Sequence, residues 1–139
     1  MAKYKKVYIA GVLTVVKKDQ RNLYEQISSL CHSLDVEAYV PHSWGTDPRA
    51  NPNVKPNEVW QINHRRVNDS DLVIAYVGQP SLGVGAELEM AKVNHTKIIL
   101  WWFKDEKVSR MALGNPMVIK KIKVNNQKEL FTRLKAILK

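Results

Sequence analysis

The stretch DLVIAYVGQPSLGVGAELEMA, residues 71–91, decides the fold of this chain. An apolar run at residues 72–77 leads into a loop of glycine, proline and serine at residues 78–85, and a helix-forming segment follows with Glu87 in its first turn. This order predicts a buried strand, a tight loop and a helix, which together form one unit of an α/β sheet. Ligands of such sheets bind beyond the carboxyl ends of the strands, so the loop is the first candidate for a functional site.

The rest of the chain repeats this alternation of strand and helix, about five times in all. Strands are predicted at residues 5–11, 36–40, 72–77, 97–103 and 118–124. Helices are predicted after a cap at Asp19, at residues 56–68, at residues 84–94, and around Leu130, Leu134, Ile137 and Leu138. We therefore expect a single-domain α/β fold with a doubly wound, mainly parallel five-stranded sheet of the flavodoxin or Rossmann type.

The formal charge of +9, from 22 Lys and Arg against 13 Asp and Glu, has two interpretations. Lys and Arg attract nucleic acids and phosphorylated small molecules alike. The basic residues are scattered along the chain, and no nucleic-acid recognition motif accompanies them. We expect a basic surface that attracts anions and no dedicated nucleic-acid site.

Several other sequence features limit the class of protein. The single cysteine, Cys31, has no disulfide partner, the start MAKYKK lacks the apolar region of a signal peptide, and no apolar run approaches the ~20 residues of a membrane span. We expect a cytoplasmic protein that contains no membrane segment. The four histidines show no metal-ligand spacing, so neither a metal nor a cofactor is expected.

The loop within residues 78–85 has the groups that a phosphate needs. Gly83 and Gly85 let the backbone approach a ligand closely, Ser81 offers a hydroxyl, and the following helix presents free N–H groups. Leu88 stands where a dinucleotide-binding fingerprint has its third glycine, and no P-loop lysine follows. Spacing alone leaves a phosphate site and a plain tight turn as alternatives.

Two carboxylates follow the loop, and only one of them can face the site. Glu87 and Glu89 are two residues apart, which on a helix places them about 200° apart. Glu89 can pair with Lys92 at the surface, so Glu87 is the inward carboxylate. A first-turn position favours its ionised form by a few tenths of a kcal/mol to about 1 kcal/mol, which suits a nucleophile. The alternative is that Glu87 merely complements the helix dipole.

The residues QPSLGVGAEL, 79–88, closely resemble the active-site loop of the nucleoside 2-deoxyribosyltransferase family, especially its branch of 2'-deoxynucleoside 5'-phosphate N-hydrolases. The resemblance extends to YIAG at residues 8–11, to the SDLVIAYV strand and to VSRMALG at residues 108–114. It implies that a loop glutamate attacks the anomeric carbon and releases the base. Water then hydrolyses the glycosyl ester in the hydrolases, whereas a second base takes the sugar in the transferases.

The resemblance implies a role for each residue of this chain that aligns with a functional residue of the family. Glu87 matches the nucleophile, and Tyr8 matches the tyrosine of the first strand. Ser81 matches the serine that binds the 5'-phosphate. Ser109 matches a phosphate-binding serine that the family supplies from the neighbouring subunit, which implies a homodimer. The expected substrate is a nucleoside 5'-monophosphate, with Gly11, Gly83 and Gly85 also at the binding site.

The chain departs from the family at two positions. Asn63 stands where the family commonly has an aspartate that orients the nucleophile or assists proton transfer, and an amide cannot exchange a proton at neutral pH. Asp69 and Asp71 are poor substitutes, because they lie where the chain enters the third strand. Thr14 stands where the hydrolase branch has an arginine, which implies either weaker phosphate binding or the use of a lysine such as Lys17.

The proline-rich segment after the second strand contains His42 and Trp44, which either cover a base or only pack within the loop. With these assignments, the leading function is hydrolysis of the N-glycosidic bond of a nucleoside 5'-monophosphate through a Glu87 glycosyl ester. Base exchange between deoxynucleosides is the nearest alternative. A nucleotide-binding module without turnover is a third, which Asn63 keeps open.

Overall fold

The computed structural model of the protein describes residues 3–13, 18–43 and 50–139. Within these ranges, five strands and five α-helices alternate along the chain. The strands are β1 (Lys6–Ala10), β2 (Glu37–Tyr39), β3 (Leu72–Tyr76), β4 (Lys97–Phe103) and β5 (Val118–Val124). The helices are α1 (Lys18–Ser33), α2 (Pro56–Asn68), α3 (Leu82–Val93), α4 (Arg110–Leu113) and α5 (Gln127–Leu138). A single 3-10 turn, Pro41–Ser43, follows β2.

The strands of the described residues form one sheet in the order β2-β1-β3-β4-β5, and every neighbouring pair is parallel. This is the strand order of flavodoxin-like doubly wound folds. The predicted fold class is therefore confirmed. β3 lies at the centre, and all five of its residues are buried, as its uninterrupted apolar run predicts.

The hydrophobic core lies on both faces of the sheet. Alternate residues of β3 point to opposite faces: Leu72 and Ile74 belong to one buried cluster, and Val73 and Ala75 belong to the other. The first cluster contains the apolar stripes of α1 and α5, and the second contains those of α2 and α3. With both faces covered, the ends of the strands are left for a ligand site.

Asp71 marks the amino edge of the sheet and has the structural role expected of it. Its carboxylate accepts hydrogen bonds from the backbone N–H of Lys5, at 2.9 Å, and of Lys6, at 3.0 Å. These bonds join the start of β3 to the start of β1. The opposite, carboxyl edge carries the loops that follow β1, β3 and β4.

Two helices, α3 and α1, begin at residues that differ from those predicted from the sequence. Ser81 caps α3, because its Oγ accepts a hydrogen bond from the Val84 N–H at 3.2 Å, and the helix therefore begins at Leu82 and contains both glycines of the motif. The prediction that Glu87 lies in the first turn is wrong, since it is in the second turn. The predicted cap at Asp19 is also wrong, because α1 begins at Lys18 and Asp19 lies inside its first turn.

Candidate active site

A cleft of about 780 Å³ opens at the carboxyl edge of the sheet, between the loop after β1, helix α2 and the start of α3. We call it the Glu87 cleft. It brings together several residues that the sequence singled out: Gly11, Asn63, Ser81, Gly83 and Glu87. Much of the remaining wall is apolar, including Leu13, Pro56, Val59, Trp60 and Met90. A mostly apolar cleft of this size with a few polar groups is typical of small-molecule sites.

Glu87 is the inward carboxylate, as helical spacing predicts. Its residue is only 8% exposed, whereas the Glu89 side chain is 64% exposed and lies 3.9 Å from the Lys92 ammonium. Burial raises the pKa of Glu87 to about 7, because a charged carboxylate is poorly solvated there. The predicted first-turn stabilisation of its ionised form does not apply, because Glu87 lies in the second turn of α3, and burial instead favours the neutral carboxyl.

Tyr8 holds this carboxylate from β1. Its hydroxyl donates a hydrogen bond to Glu87 Oε2, which lowers the pKa of Glu87 and so opposes the effect of burial. Burial, and then the neighbouring Glu87, raise the pKa of Tyr8 well above its ordinary value, so Tyr8 remains a donor. The Tyr8 ring is fully buried beside Tyr39, with 5.5 Å between ring centroids. Oε1 of Glu87 is the oxygen that Tyr8 leaves for a ligand.

Asn63 lines the Glu87 cleft from α2. Its Oδ1 is buried, and it has no hydrogen-bond partner among the described residues. A buried acceptor without a partner destabilises a protein by roughly 1–3 kcal/mol, so such an atom is suited to accept a hydrogen bond from a ligand. An amide at this point can orient a ligand but cannot supply a proton.

The glycines of the site have different physical roles. A Cβ on Gly11 would lie 2.2 Å from Cζ of Tyr24, so the absence of a side chain there makes room for the Tyr24 ring. A Cβ on Gly83 would meet only Ser81 Oγ, at 3.8 Å, and one on Gly85 would meet nothing within 4 Å. The space around the first turn of α3 is therefore open. Together with the Ser81 hydroxyl, it provides room for an anion at a helix start.

Ser109 lies along a second groove, of about 630 Å³, on the other side of the start of α3. Ser81, Glu89 and Lys107 line the same groove. Ser109 caps the short helix α4, and its Oγ accepts a hydrogen bond from the Met111 N–H at 3.1 Å. In the described part of the chain, Ser109 does not line the Glu87 cleft of its own subunit.

His42 contacts α1. Its Nε2 is 2.9 Å from Glu25 Oε1, and its ring lies 6.3 Å from that of Tyr24. The preceding Pro41 lines the Glu87 cleft, whereas His42 itself is not among the residues of its described wall. The role of His42 at a base stays a prediction, and Thr14, Lys17 and Trp44 lie outside the described residues.

The sequence did not single out two features around the site. Trp60 lines the Glu87 cleft, and its position three residues before Asn63 on one helix face is a signal that points to it. Glu106 accepts a hydrogen bond from the Tyr76 hydroxyl, and its carboxylate fills the place where a Cβ on Gly78 would stand. No sequence spacing signals that second contact, because the partners are about 30 residues apart.

Residues 3–13, 18–43 and 50–139 contain no group of three or more His, Cys, Asp or Glu side chains arranged to hold a metal ion. None of the helices described there has both the length and the apolar character that crossing a membrane requires.

A protein-family model described as nucleoside 2-deoxyribosyltransferase matches residues 7–137 of this chain. Two curated relatives both carry the name "Putative 2'-deoxynucleoside 5'-phosphate N-hydrolase 1". The protein of Methanosarcina mazei is 26% identical over 129 residues, which are 90% of this chain and 78% of the relative. That of Syntrophotalea carbinolica is 34% identical over 74 residues, which are 52% of this chain and 51% of the relative.

Solved structures share the fold at low sequence identity. The CMP N-glycosidase of Clostridium botulinum superposes with a TM-score of 0.74 at 21% identity, covering 96% of this chain and 100% of that one. A 2-deoxyribosyltransferase of Bacillus psychrosaccharolyticus has a TM-score of 0.67 at 12% identity, covering 91% of this chain and 90% of that one.

Proposed function

The chain belongs to the nucleoside 2-deoxyribosyltransferase family, whose members are N-glycosidases or deoxyribosyltransferases, and we propose that it hydrolyses the N-glycosidic bond of a nucleoside or 2'-deoxynucleoside 5'-monophosphate. The observation that carries this proposal is the buried Glu87 carboxylate, held by Tyr8 in a cleft that also contains the Ser81-capped start of α3. The names of the curated relatives and of the CMP N-glycosidase support the same substrate class.

The reaction proceeds through a covalent ester in this proposal. Oε1 of Glu87 attacks the anomeric carbon, the C–N bond breaks, and its electron pair leaves with the base, which takes a proton from water. The oxocarbenium-like transition state is stabilised by the adjacent carboxylate. Water then attacks the same carbon, Glu87 leaves as a carboxylate, and the proton that the attacking water loses neutralises the hydroxide left by the first step. The products are the free base and a sugar 5-phosphate.

Tyr8 and Asn63 assist this reaction in different ways. Tyr8 favours the ionised form of Glu87 at neutral pH and fixes the direction of Oε1, because it occupies Oε2. Asn63 offers an unpartnered amide oxygen to the ligand. Since an amide does not release a proton, the leaving base is protonated by solvent and not by this side chain.

The phosphate binds at the start of α3 in this proposal. Ser81 accepts a bond from Val84 and keeps its hydroxyl hydrogen for the anion. Ser109 comes from the neighbouring subunit of a homodimer. Support for the dimer comes from two apolar side chains beside the second groove, Leu82 at 96% exposed and Met111 at 87% exposed, which such an interface would cover. Sedimentation of the protein, native and with Met111→Lys, tests this assembly.

The test of the reaction is release of free base from a panel of nucleoside and 2'-deoxynucleoside 5'-monophosphates, followed by chromatography. Glu87→Gln keeps the size of the side chain and removes the nucleophile, so its rate is expected to fall below about one thousandth of the native rate. Glu89→Gln is the matched control on the exposed face of α3 and is expected to stay within about twofold. Equal release by native protein and Glu87→Gln would contradict the assignment.

Base exchange is the second candidate, because the matched family is named for a transferase. The same ester would then be attacked by a second base, which replaces water. Adding an excess of a different base and searching for the new nucleoside separates the two reactions. Nucleotide binding without turnover is the third candidate, which Asn63 favours. This third candidate is supported if Asn63→Asp releases no base while nucleotide binding is measurable.

The proposal keeps the cytoplasm as the protein's location. Its support is that the one cysteine of the chain, Cys31, is a free thiol, as is usual for proteins of a reducing compartment.

A further inference from the structure

Trp60 presents an aromatic surface at the edge of the Glu87 cleft. It is 53% exposed, although a side chain of this size and apolarity is usually well buried. Among the residues that the structure describes, it is the one aromatic side chain in the wall of this cleft. Asn63, one turn later on α2, lines the same cleft. An exposed indole beside a candidate nucleophile is well placed to contact a ligand.

His64 supports the indole of Trp60 from behind. The two ring centroids are 4.6 Å apart, and the ring planes differ by only 12°. His64 is absent from the described wall of the Glu87 cleft, and with Trp60 it lines a separate surface groove. Nδ2 of Asn68 lies 3.4 Å from His64 Nε2 and holds the imidazole from the next turn of α2. One face of the indole is therefore covered, and the other is available to the cleft.

We infer that Trp60 is the stacking platform for the nucleobase of the substrate, with His64 as the positioning residue behind it. This inference rests on the proposed function for the identity of the ligand as a nucleotide. Every nucleobase has a π face, and aromatic side chains stack on it with little regard to which base it is. A base on Trp60 leaves the sugar to Glu87 and the 5'-phosphate to Ser81, since all three residues line one cleft.

Loss of the stack on Trp60 should weaken binding of the ligand by a measurable factor. Removal of an aromatic side chain that stacks on a base weakens binding by about 5- to 150-fold. The loss is confined to ligands that carry a base, because a sugar phosphate has no base to stack on Trp60. His64 acts by holding the indole in its bound orientation, so its removal has a smaller effect in the same direction.

The experiment measures equilibrium binding in a Glu87→Gln background, in which substrate is not consumed. The probes are cytidine 5'-monophosphate, adenosine 5'-monophosphate and ribose 5-phosphate. Trp60→Leu is expected to weaken both nucleotides by about 5- to 150-fold and to leave ribose 5-phosphate within twofold. Trp60→Phe restores part of the affinity, and His64→Ala loses about two- to fivefold. Gln61→Ala, at the next residue of α2 but outside the cleft, is the matched control and changes nothing.

The inference would be overturned if Trp60→Leu left nucleotide affinity within twofold, or if it weakened nucleotides and ribose 5-phosphate equally. The absence of measurable nucleotide binding would overturn it as well. Failure of the proposed reaction is distinguished separately. A protein that binds nucleotides through Trp60 but releases no base keeps the stacking site and contradicts hydrolysis. A protein that releases base although Trp60→Leu leaves nucleotide binding unchanged supports hydrolysis and contradicts the stacking site.

Discussion

Tyr8→Phe tests how the site keeps its nucleophile ionised. The change removes one hydroxyl from a fully buried ring and with it the hydrogen bond to Glu87 Oε2. A hydrogen bond to a charged group contributes about 1.5–3 kcal/mol, which corresponds to about 1–2 pKa units. This bond lowers the pKa of Glu87, whereas burial raises that pKa to about 7. Its loss should therefore move the pKa of Glu87 up, to roughly 8–9.

The consequence is a shift of the pH-rate profile. A carboxylate nucleophile acts only when ionised, so base release by the native protein should rise with pH and level off above about pH 7. In Tyr8→Phe the rise should move upward by about 1–2 pH units. The rate at pH 7 should fall by about 5- to 50-fold, and most of it should return at pH 9.

The assay is initial-rate base release at saturating nucleotide between pH 5 and pH 9.5, for native protein and Tyr8→Phe. Tyr4→Phe is the control, since Tyr4 is a buried tyrosine that does not line the Glu87 cleft. A Tyr8→Phe profile that keeps the native midpoint and is lower by the same factor at every pH would refute this reasoning. It would mean that Tyr8 acts on geometry alone.

Three further predictions concern Glu87, Gly11 and Ser81. Burial raises the pKa of Glu87 from 4.5 to about 7, so the free energy of unfolding should fall by about 3 kcal/mol as the pH rises from 4.5 to 7. Chemical denaturation of Glu87→Gln should lack this fall, and an unchanged pH dependence would count against a buried, titrating carboxylate. Gly11→Ala should destabilise the protein by about 1–3 kcal/mol, because the new Cβ meets Tyr24. In Gly85→Ala the new Cβ has no neighbouring atom within 4 Å, so this change should be neutral or should stabilise the protein by up to about 1 kcal/mol. Equal denaturation midpoints for the two variants would contradict this difference. Ser81→Ala should lower kcat/KM for a nucleoside 5'-monophosphate about 10-fold more than for the unphosphorylated nucleoside, because it removes a hydrogen bond to a charged group. An equal loss for both substrates would reduce Ser81 to its role as a helix cap.

The parts of this fold that could be predicted are those governed by short-range pattern. The uninterrupted apolar run of β3 requires burial on both faces, which is the condition of a central parallel strand. The choice between Glu87 and Glu89 follows from the helical period alone, and the structure confirms it. These features depend on residues close together in sequence.

The parts that escaped prediction depend on competition or on distant contacts. Glycine usually opposes a helix, yet Ser81 caps α3 early enough to include both Gly83 and Gly85, and this moved Glu87 out of the first turn. Burial in the folded protein then determines the ionisation of Glu87, and no local sequence pattern encodes that burial. The contact of Glu106 with Gly78 likewise exists only once the ends of β3 and β4 are side by side.

The central claim is that Glu87 forms a covalent bond to the sugar. Its most direct test is mass spectrometry of protein quenched with acid during turnover of a nucleoside 5'-monophosphate, followed by digestion and sequencing of the peptides. We predict a mass increase of one sugar phosphate residue on Glu87, absent from Glu87→Gln and present in Glu89→Gln. A sugar phosphate adduct on another residue, or native rates of base release from Glu87→Gln, would contradict the claim.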